Sequence, residues 1–184
     1  RYHKEPFRGS TYRDDKPYTK AAPTVRGMLD PQRSKMVGSI REALEKCGAR
    51  DGMVFSFHHH FRDGDHIVNM VLEAAEEMGL KDLTICASSL GKAHSRVAAM
   101  IEAGTVIGIQ TSGIRDRIGE DVSFGKLKTP AIIRSHGGRV RAIEEGDVHI
   151  DIAFIGAPTA DEYGNLRGVG GKSDCGVLSY SVVD

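Results

Sequence analysis

Three times in succession an apolar, strand-length run in this chain ends in small or polar residues and then gives way to a helical stretch or a turn. Met53-Val54-Phe55-Ser56-Phe57 runs into His58-His59-His60-Phe61-Arg62, Leu83-Thr84-Ile85-Cys86-Ala87 runs into Ser88-Ser89, and residues 105–110 run into Thr111-Ser112-Gly113. Strands joined through helices pair in parallel, and their right-handed crossovers bring the polar loops to one edge of the sheet. The expected fold is therefore α/β, an open and mostly parallel sheet flanked by helices. Ligands of such sheets bind in the crevice beyond the carboxyl ends of the strands, so function is expected at that edge.

The helical stretches carry the matching pattern. Asp65 can cap a helix in which Ile67, Val71, Ala74, Ala75 and Met78 face the sheet and Glu73, Glu76 and Glu77 face water, with Gly79 as its stop. Val97, Ala98 and Ile101 mark the next helix, closed by Gly104. Ahead of the first strand, Asp30-Pro31 reads as N-cap and first helical position, with Met36, Ile40, Ala43, Leu44 and Cys47 on one face. The globular domain is accordingly expected over residues 31–184. Residues 1–30, rich in charge, Pro and Gly and without periodicity, read as an extended arm that is disordered or laid over another surface.

Past the third strand, Arg115-Asp116-Arg117 reads as a solvated loop and Pro130-Ala131-Ile132-Ile133-Arg134 as a short strand. It leads into Ser135-His136-Gly137-Gly138-Arg139, where the two glycines permit either close approach of backbone to a ligand or a plain turn. Residues 142–147 read as a further turn, and residues 150–155 as the most apolar strand. Asp151 interrupts that strand, which implies a strand start or a specifically bonded carboxylate. Residues 156–176 form a long glycine-rich loop whose N–H groups could cradle a phosphate or an oxyanion. Gly171-Lys172-Ser173 does not make a nucleotide-binding loop: Leu166 stands where the first glycine belongs, and residues 175–180 read as a strand where a helix is required.

Composition narrows the function classes. Twenty-five Lys and Arg balance 25 Asp and Glu, which removes an electrostatic case for nucleic acid. No apolar run is long enough to cross a bilayer. Cys47, Cys86 and Cys175, in apolar or Gly-flanked contexts, are expected to be reduced buried thiols of a cytoplasmic protein. The chain starts without Met and stops just after a strand-like run, so it is expected to be part of something longer.

The histidine triplet is the most distinctive polar group. On extended backbone His58 and His60 share one face and His59 takes the other, so at most two act together. Their spacing is not that of zinc ligands, and no metal is expected. They read instead as groups for an anionic ligand, with a non-catalytic surface loop as the bland alternative.

Several stretches together resemble the citrate lyase alpha subunit family, the citrate CoA-transferase component. They are Ser56-Phe57-His58-His59-His60-Phe61-Arg62, Ser135-His136-Gly137-Gly138-Arg139, Ala153-Phe154-Ile155-Gly156-Ala157-Pro158, Asp161 with Gly164-Asn165, and Gly170-Gly171-Lys172-Ser173-Asp174-Cys175-Gly176. The similarity runs from about residue 36 to the end. It implies the first CoA-transferase-like half of a longer chain, inactive alone, whose whole exchanges acetate for citrate on the thioester of an acyl-carrier subunit. It implies a CoA-derived prosthetic group on that carrier, or CoA or acetyl-CoA, and as partners the citryl-cleaving beta and acyl-carrying gamma subunits in an oligomer.

The residues expected to act follow from both readings. His58, His60 and Arg62 are the catalytic candidates, supplying charge and donors to a tricarboxylate. Ser112, Gly113, His136, Gly137, Gly138, Arg139, Asp161, Asn165, Gly170, Gly171 and Lys172 are candidates for holding substrate or the CoA-derived group. Glu144, Glu145 and Glu162 are not assigned as nucleophiles. A transferase acting on free CoA with another acid, and a ligand-sensing domain of related fold, are the competing readings; no DNA-binding helix pair accompanies the latter.

Overall fold

Residues 34–58, 65–178 and 183 are described by the structure, a computed structural model. Strands β1 (Val54–His58), β2 (Leu83–Ala87), β3 (Val106–Thr111), β4 (Ile132–Ile133) and β5 (Ile152–Ile155) form a five-stranded sheet in the order β4-β3-β2-β1-β5. Every pairing in it is parallel. Helices α1 (Ile40–Lys46), α2 (Ile67–Glu77), α3 (Arg96–Glu102), α4 (Asp116–Ser123) and α5 (His136–Glu144) are interleaved with the strands, and a small antiparallel pair, β6 (Thr159–Ala160) with β7 (Leu166–Arg167), follows. This is the α/β architecture that the alternation of strand and helix predicts.

Residue registry divides the sheet into two unlike faces. Phe55, Ile85 and Ile109 lie side by side in one row, and Phe57, Ala87 and Thr111 in the next. With the inner faces of α1, α2, α3 and α4 the apolar members of these rows build the main core. Phe154 stacks on Phe57 with ring centroids 5.1 Å apart and meets Phe55 edge-on at 5.5 Å, tying β5 to β1. The other face carries Ser56 opposite Cys86 and then Gln110. Its much smaller apolar cluster holds Cys86, Ala142 and Val148, packed with Val54, Ile143 and Ile150. Helix α5 supplies Ala142 and Ile143 to it.

Chain order explains why α5 is on that face. β2, β3 and β4 are added outward from β1 on one side, and then the chain must return across the whole sheet to place β5 on the other side of β1. Right-handed crossovers put the outgoing helices on one face and the returning helix on the opposite one. The reversal of strand order at β1 and β5 opens a crevice at their carboxyl ends.

Several boundaries differ from expectation, each for a local reason. Helix α1 begins at Ser39, whose side chain accepts from the Glu42 N–H at 3.1 Å, while the Glu42 carboxylate accepts from the Gly38 N–H at 2.7 Å. This cap overrides an earlier start and leaves Met36 exposed; Asp30 and Pro31 lie outside the described residues, as does the arm over residues 1–30. The Arg115-Asp116-Arg117 segment is the start of α4, not a loop. Ser135 to Arg139 is a helix start, not a turn: Ser135 Oγ accepts from the Gly138 N–H at 3.0 Å, and the helix continues through Glu144 where a turn was expected. Residues 175–178 form no strand. Both readings of Asp151 hold, since it directly precedes β5 and its carboxylate accepts from the Val54 N–H at 2.7 Å. Of the three thiols only Cys86 is buried; Cys47 is exposed and Cys175 half-buried.

The aromatic contact between β1 and β5 gives the first prediction. Phe57 is 1% exposed, so Phe57→Ala in the full-length protein should lower unfolding stability by about 3–5 kcal/mol, and Phe57→Leu by under about 1.5 kcal/mol. Urea unfolding measures both. Equal, small losses would mean that the Phe57–Phe154 stack does not hold β5 in place.

Candidate active site

Parallel pairing brings the ends of β1, β2, β3 and β4 to one edge, and with them His58, Ser88, Ser112 and the start of α5. His59, His60 and Arg62 lie outside the described residues. β1 ends at His58, whose carbonyl accepts from the Gly156 N–H at 3.2 Å, so the carboxyl ends of β1 and β5 lie side by side.

His58 is 2% exposed and is held from the side. The alternation in β1 puts Ser56 and His58 on the face that α5 covers, and the registry puts Cys86 beside Ser56. Arg139, at the end of the first turn of α5, reaches all three. Its Nη2 donates to Ser56 Oγ at 2.5 Å, its Nε donates to Cys86 Sγ at 3.3 Å, and its Nη1 lies 3.2 Å from His58 Nε2. Arg139 is itself only 4% exposed. Next to it a small recess is lined by Cys86, Gln110, Thr111, Arg134 and Val148, with Arg134 donating to the Gln110 side-chain oxygen. Sequence reasoning picked out His58 and Arg139 separately. Ser56 was missed, although strand alternation puts it on the same face as His58, and nothing local to Cys86 announces its contact with an arginine 53 residues later.

The other expected residues fall into three groups. His136, Gly137 and Gly138 form the first turn of α5, and that turn is at the carboxyl edge because α5 starts where β4 ends. Glu144 and Glu145 are at the far end of the same nine-residue helix, roughly 13 Å away along its axis. Arg141 pairs with Glu145 there at 2.8 Å. Glu162 is exposed in the turn between β6 and β7. None of the three sits in the crevice.

Ser112 and Gly113 are at the edge, but their N–H groups are used within the protein. The Ser112 N–H and hydroxyl both donate to the Ser88 carbonyl, and the Gly113 N–H points to Thr111 Oγ1 at 3.4 Å. Asp65, buried just before α2, accepts from the Ile67 N–H at 3.0 Å through one carboxylate oxygen; the other has no hydrogen-bond partner among the described residues.

Asp161, Asn165, Gly170, Gly171 and Lys172 belong to the exposed hairpin and loop after β5. The Asp161 carboxylate organises that hairpin, accepting from the Tyr163 and Asn165 N–H groups, both at 2.9 Å, and from Asn165 Nδ2 at 2.8 Å. Gly164 turns the chain at φ +86°. Gly168 has no room for a side chain, because a Cβ would meet the Gly176 carbonyl; its own carbonyl accepts from the Cys175 and Gly176 N–H groups at 2.9 Å. The Gly171 N–H donates to the Asp174 carboxylate at 2.9 Å. Among the described residues no group of three or more His, Cys, Asp or Glu is placed to hold a metal ion, and no helix is long and apolar enough to cross a membrane.

Residues 33–184 match the model of the family described as "Citrate lyase, alpha subunit (CitF)". The chain belongs to the citrate lyase alpha subunit family.

Curated citrate lyase alpha chains agree. That of Klebsiella pneumoniae is 43% identical over 166 residues, covering 90% of this chain and 33% of the relative. That of Escherichia coli (strain K12) is 45% identical over 150 residues, covering 82% and 29%. A crystal structure described as the alpha subunit of citrate lyase from Streptococcus mutans in complex with citrate superimposes with a TM-score of 0.86 at 47% identity, over 92% of this chain and 33% of that one. The chain thus spans about a third of the length of the citrate lyase alpha subunits it matches.

The Asp161 turn carries a pH prediction. Hydrogen bonds from the Asn165 side chain, then from its backbone N–H and that of Tyr163, hold the Asp161 carboxyl below its ordinary value of 3.8. A lowered folded-state value means stability present above the unfolded value and lost as pH falls through the folded one. Hydrogen exchange should therefore find the Tyr163 and Asn165 amides protected at pH 5 and released only below about pH 3.8; Asp161→Ala should remove the protection at both. Protection in that variant equal to the wild type would show that the carboxylate does not organise the turn.

Proposed function

We infer that in the intact protein this domain forms one wall of a citrate CoA-transferase site, exchanging acetate for citrate on the thioester of an acyl-carrier subunit. The observation that carries this reading is the likeness, at 47% identity, to an alpha subunit described in complex with citrate. The polar residues that end β1 and start α5 support it independently, since they share the crevice edge of a parallel sheet.

The chemistry needs two things of the protein: cations and donors to seat a tricarboxylate, and donors to stabilise an oxyanion as the acyl group changes partner. His58, which ends β1, and His60 and Arg62, which follow it in the sequence, are assigned the first task. Guanidinium suits it because its planar fork meets a carboxylate through two N–H groups at once. His136 at the start of α5 faces the same edge and is assigned to the ligand as well. A CoA-derived group, when bound through the carrier, supplies a thioester whose sulfur is the leaving group. The exposed Lys172, next to Gly170 and Gly171 in the loop after β5, is the cation fitted to its phosphates. The remote position of Glu144 and Glu145 leaves them out of the mechanism. Partner subunits carrying the acyl group and cleaving the citryl product complete a multi-subunit assembly in the cytoplasm.

The test uses the full-length protein with its acyl-carrier partner, and separately with acetyl-CoA and a panel of acids. Citrate should be the preferred acceptor and the carrier thioester the preferred donor. Arg62→Ala should lower kcat/KM for citrate by about thirtyfold, the equivalent of ~2 kcal/mol, with thermal unfolding unchanged. Arg62→Lys should recover only part of the loss. Preference for another acid would overturn the substrate; unaltered citrate kinetics in Arg62→Ala would remove Arg62 from the site.

A further inference from the structure

The geometry points to Arg139 as a positioning residue, one that fixes which nitrogen of His58 carries the proton and thereby makes His58 a directed donor at the end of β1. The argument starts from what a guanidinium can do. All its polar hydrogens are donors and it has no lone pair to offer. With Arg139 Nη1 3.2 Å from His58 Nε2, that nitrogen must be the acceptor, and the proton of the imidazole is on Nδ1. A histidine side chain alone in water favours the opposite arrangement, with the proton on Nε2. The protein therefore selects the minor tautomer.

The selection is built into buried structure. Arg139 is 4% exposed and His58 2%, and the guanidinium is anchored at two further points, on Ser56 Oγ at 2.5 Å and on Cys86 Sγ at 3.3 Å. Ser56 and His58 share a face because they are two apart on β1, and Cys86 is level with Ser56 on β2. The arginine is delivered by a helix turn whose start is pinned by the Ser135 cap. Three acceptors on two strands thus meet one planar donor set, which leaves the guanidinium little freedom to rotate away from His58.

The consequence for chemistry deepens the reading above and, in its ligand part, rests on it. His58 does not offer a basic Nε2 to a substrate, because that lone pair is turned onto Arg139. Any oxygen that His58 meets, in a citrate carboxylate or a thioester carbonyl, it meets as a donor through Nδ1. Arg139 contributes to the site through His58, not by contact with the ligand.

Nitrogen-15 spectra of the full-length protein labelled in histidine test this, with the His58 signals found by comparison with His58→Gln. The wild type should show a proton on Nδ1 and a bare Nε2. In Arg139→Met the ratio of the Nδ1–H to the Nε2–H form should fall by about tenfold or more, since a charge-assisted hydrogen bond is lost. Arg139→Lys should keep the wild-type pattern in part, because an ammonium still donates. A proton on Nε2 in the wild type would overturn the proposal, and that measurement stands even if Arg139→Met fails to fold. An unchanged ratio in a folded Arg139→Met would overturn it too. Adding citrate separates the two readings: a shift of the Nδ1 signal supports both, whereas an Nδ1–H form that citrate leaves untouched would sustain the arginine clamp and sink the citrate contact at His58.

Discussion

β1 is the strand from which the sheet is built in both directions, and the rest of the domain depends on that reversal. β2, β3 and β4 extend the sheet on one side and β5 closes the other, so β1 is hydrogen-bonded on both edges. One outcome is a helix that must return across the opposite face; another is a crevice where the strand order turns. The histidine run is attached to the one strand that lies against that crevice and is fixed from both sides.

The two faces of β1 are stabilised by different physics. One buries Phe55 and Phe57 against α2 and Phe154, where apolar area removed from water and aromatic packing supply the stability. The other buries Ser56 and His58, polar groups that lose their hydration when α5 covers them, beside Cys86 of β2. Buried polar groups are tolerated when they are hydrogen-bonded, and Arg139 donates to all three. A satisfied network of this kind holds its members in one arrangement. Rigidity at His58 therefore comes from the polar face, while overall stability comes from the apolar one.

How much of this could be read from residues alone follows from the range of each interaction. The strand and helix order was legible because the pattern is local: Met53 to Phe57 is an apolar, aromatic run of strand length, and residues 67–78 repeat as a helix does. The start of α5 was not, because Gly137-Gly138 has poor helix propensity and reads as a turn until the Ser135 cap and the need to cover the second face are known. α4 was missed for a similar reason, its charged opening Arg115-Asp116-Arg117 resembling a loop. Within the site, His58 was legible as a polar residue at a strand end, but its pairing with Arg139 spans 81 residues and depends on the crossover that only the assembled sheet supplies. Asp161 and Asn165 entered only through the family resemblance; that they hold a turn became visible only from their hydrogen bonds.

The central claim is that the carboxyl edge at β1 and β5 seats citrate. A crystal structure of the full-length protein with citrate bound tests it most directly. The account predicts citrate carboxylates within hydrogen-bond distance of side chains from residues 58–62, near the first turn of α5, with Arg139 still turned onto His58. Citrate at the opposite edge of the sheet, beside Glu144 and Glu145, or anywhere that leaves residues 58–62 out of contact, would contradict it.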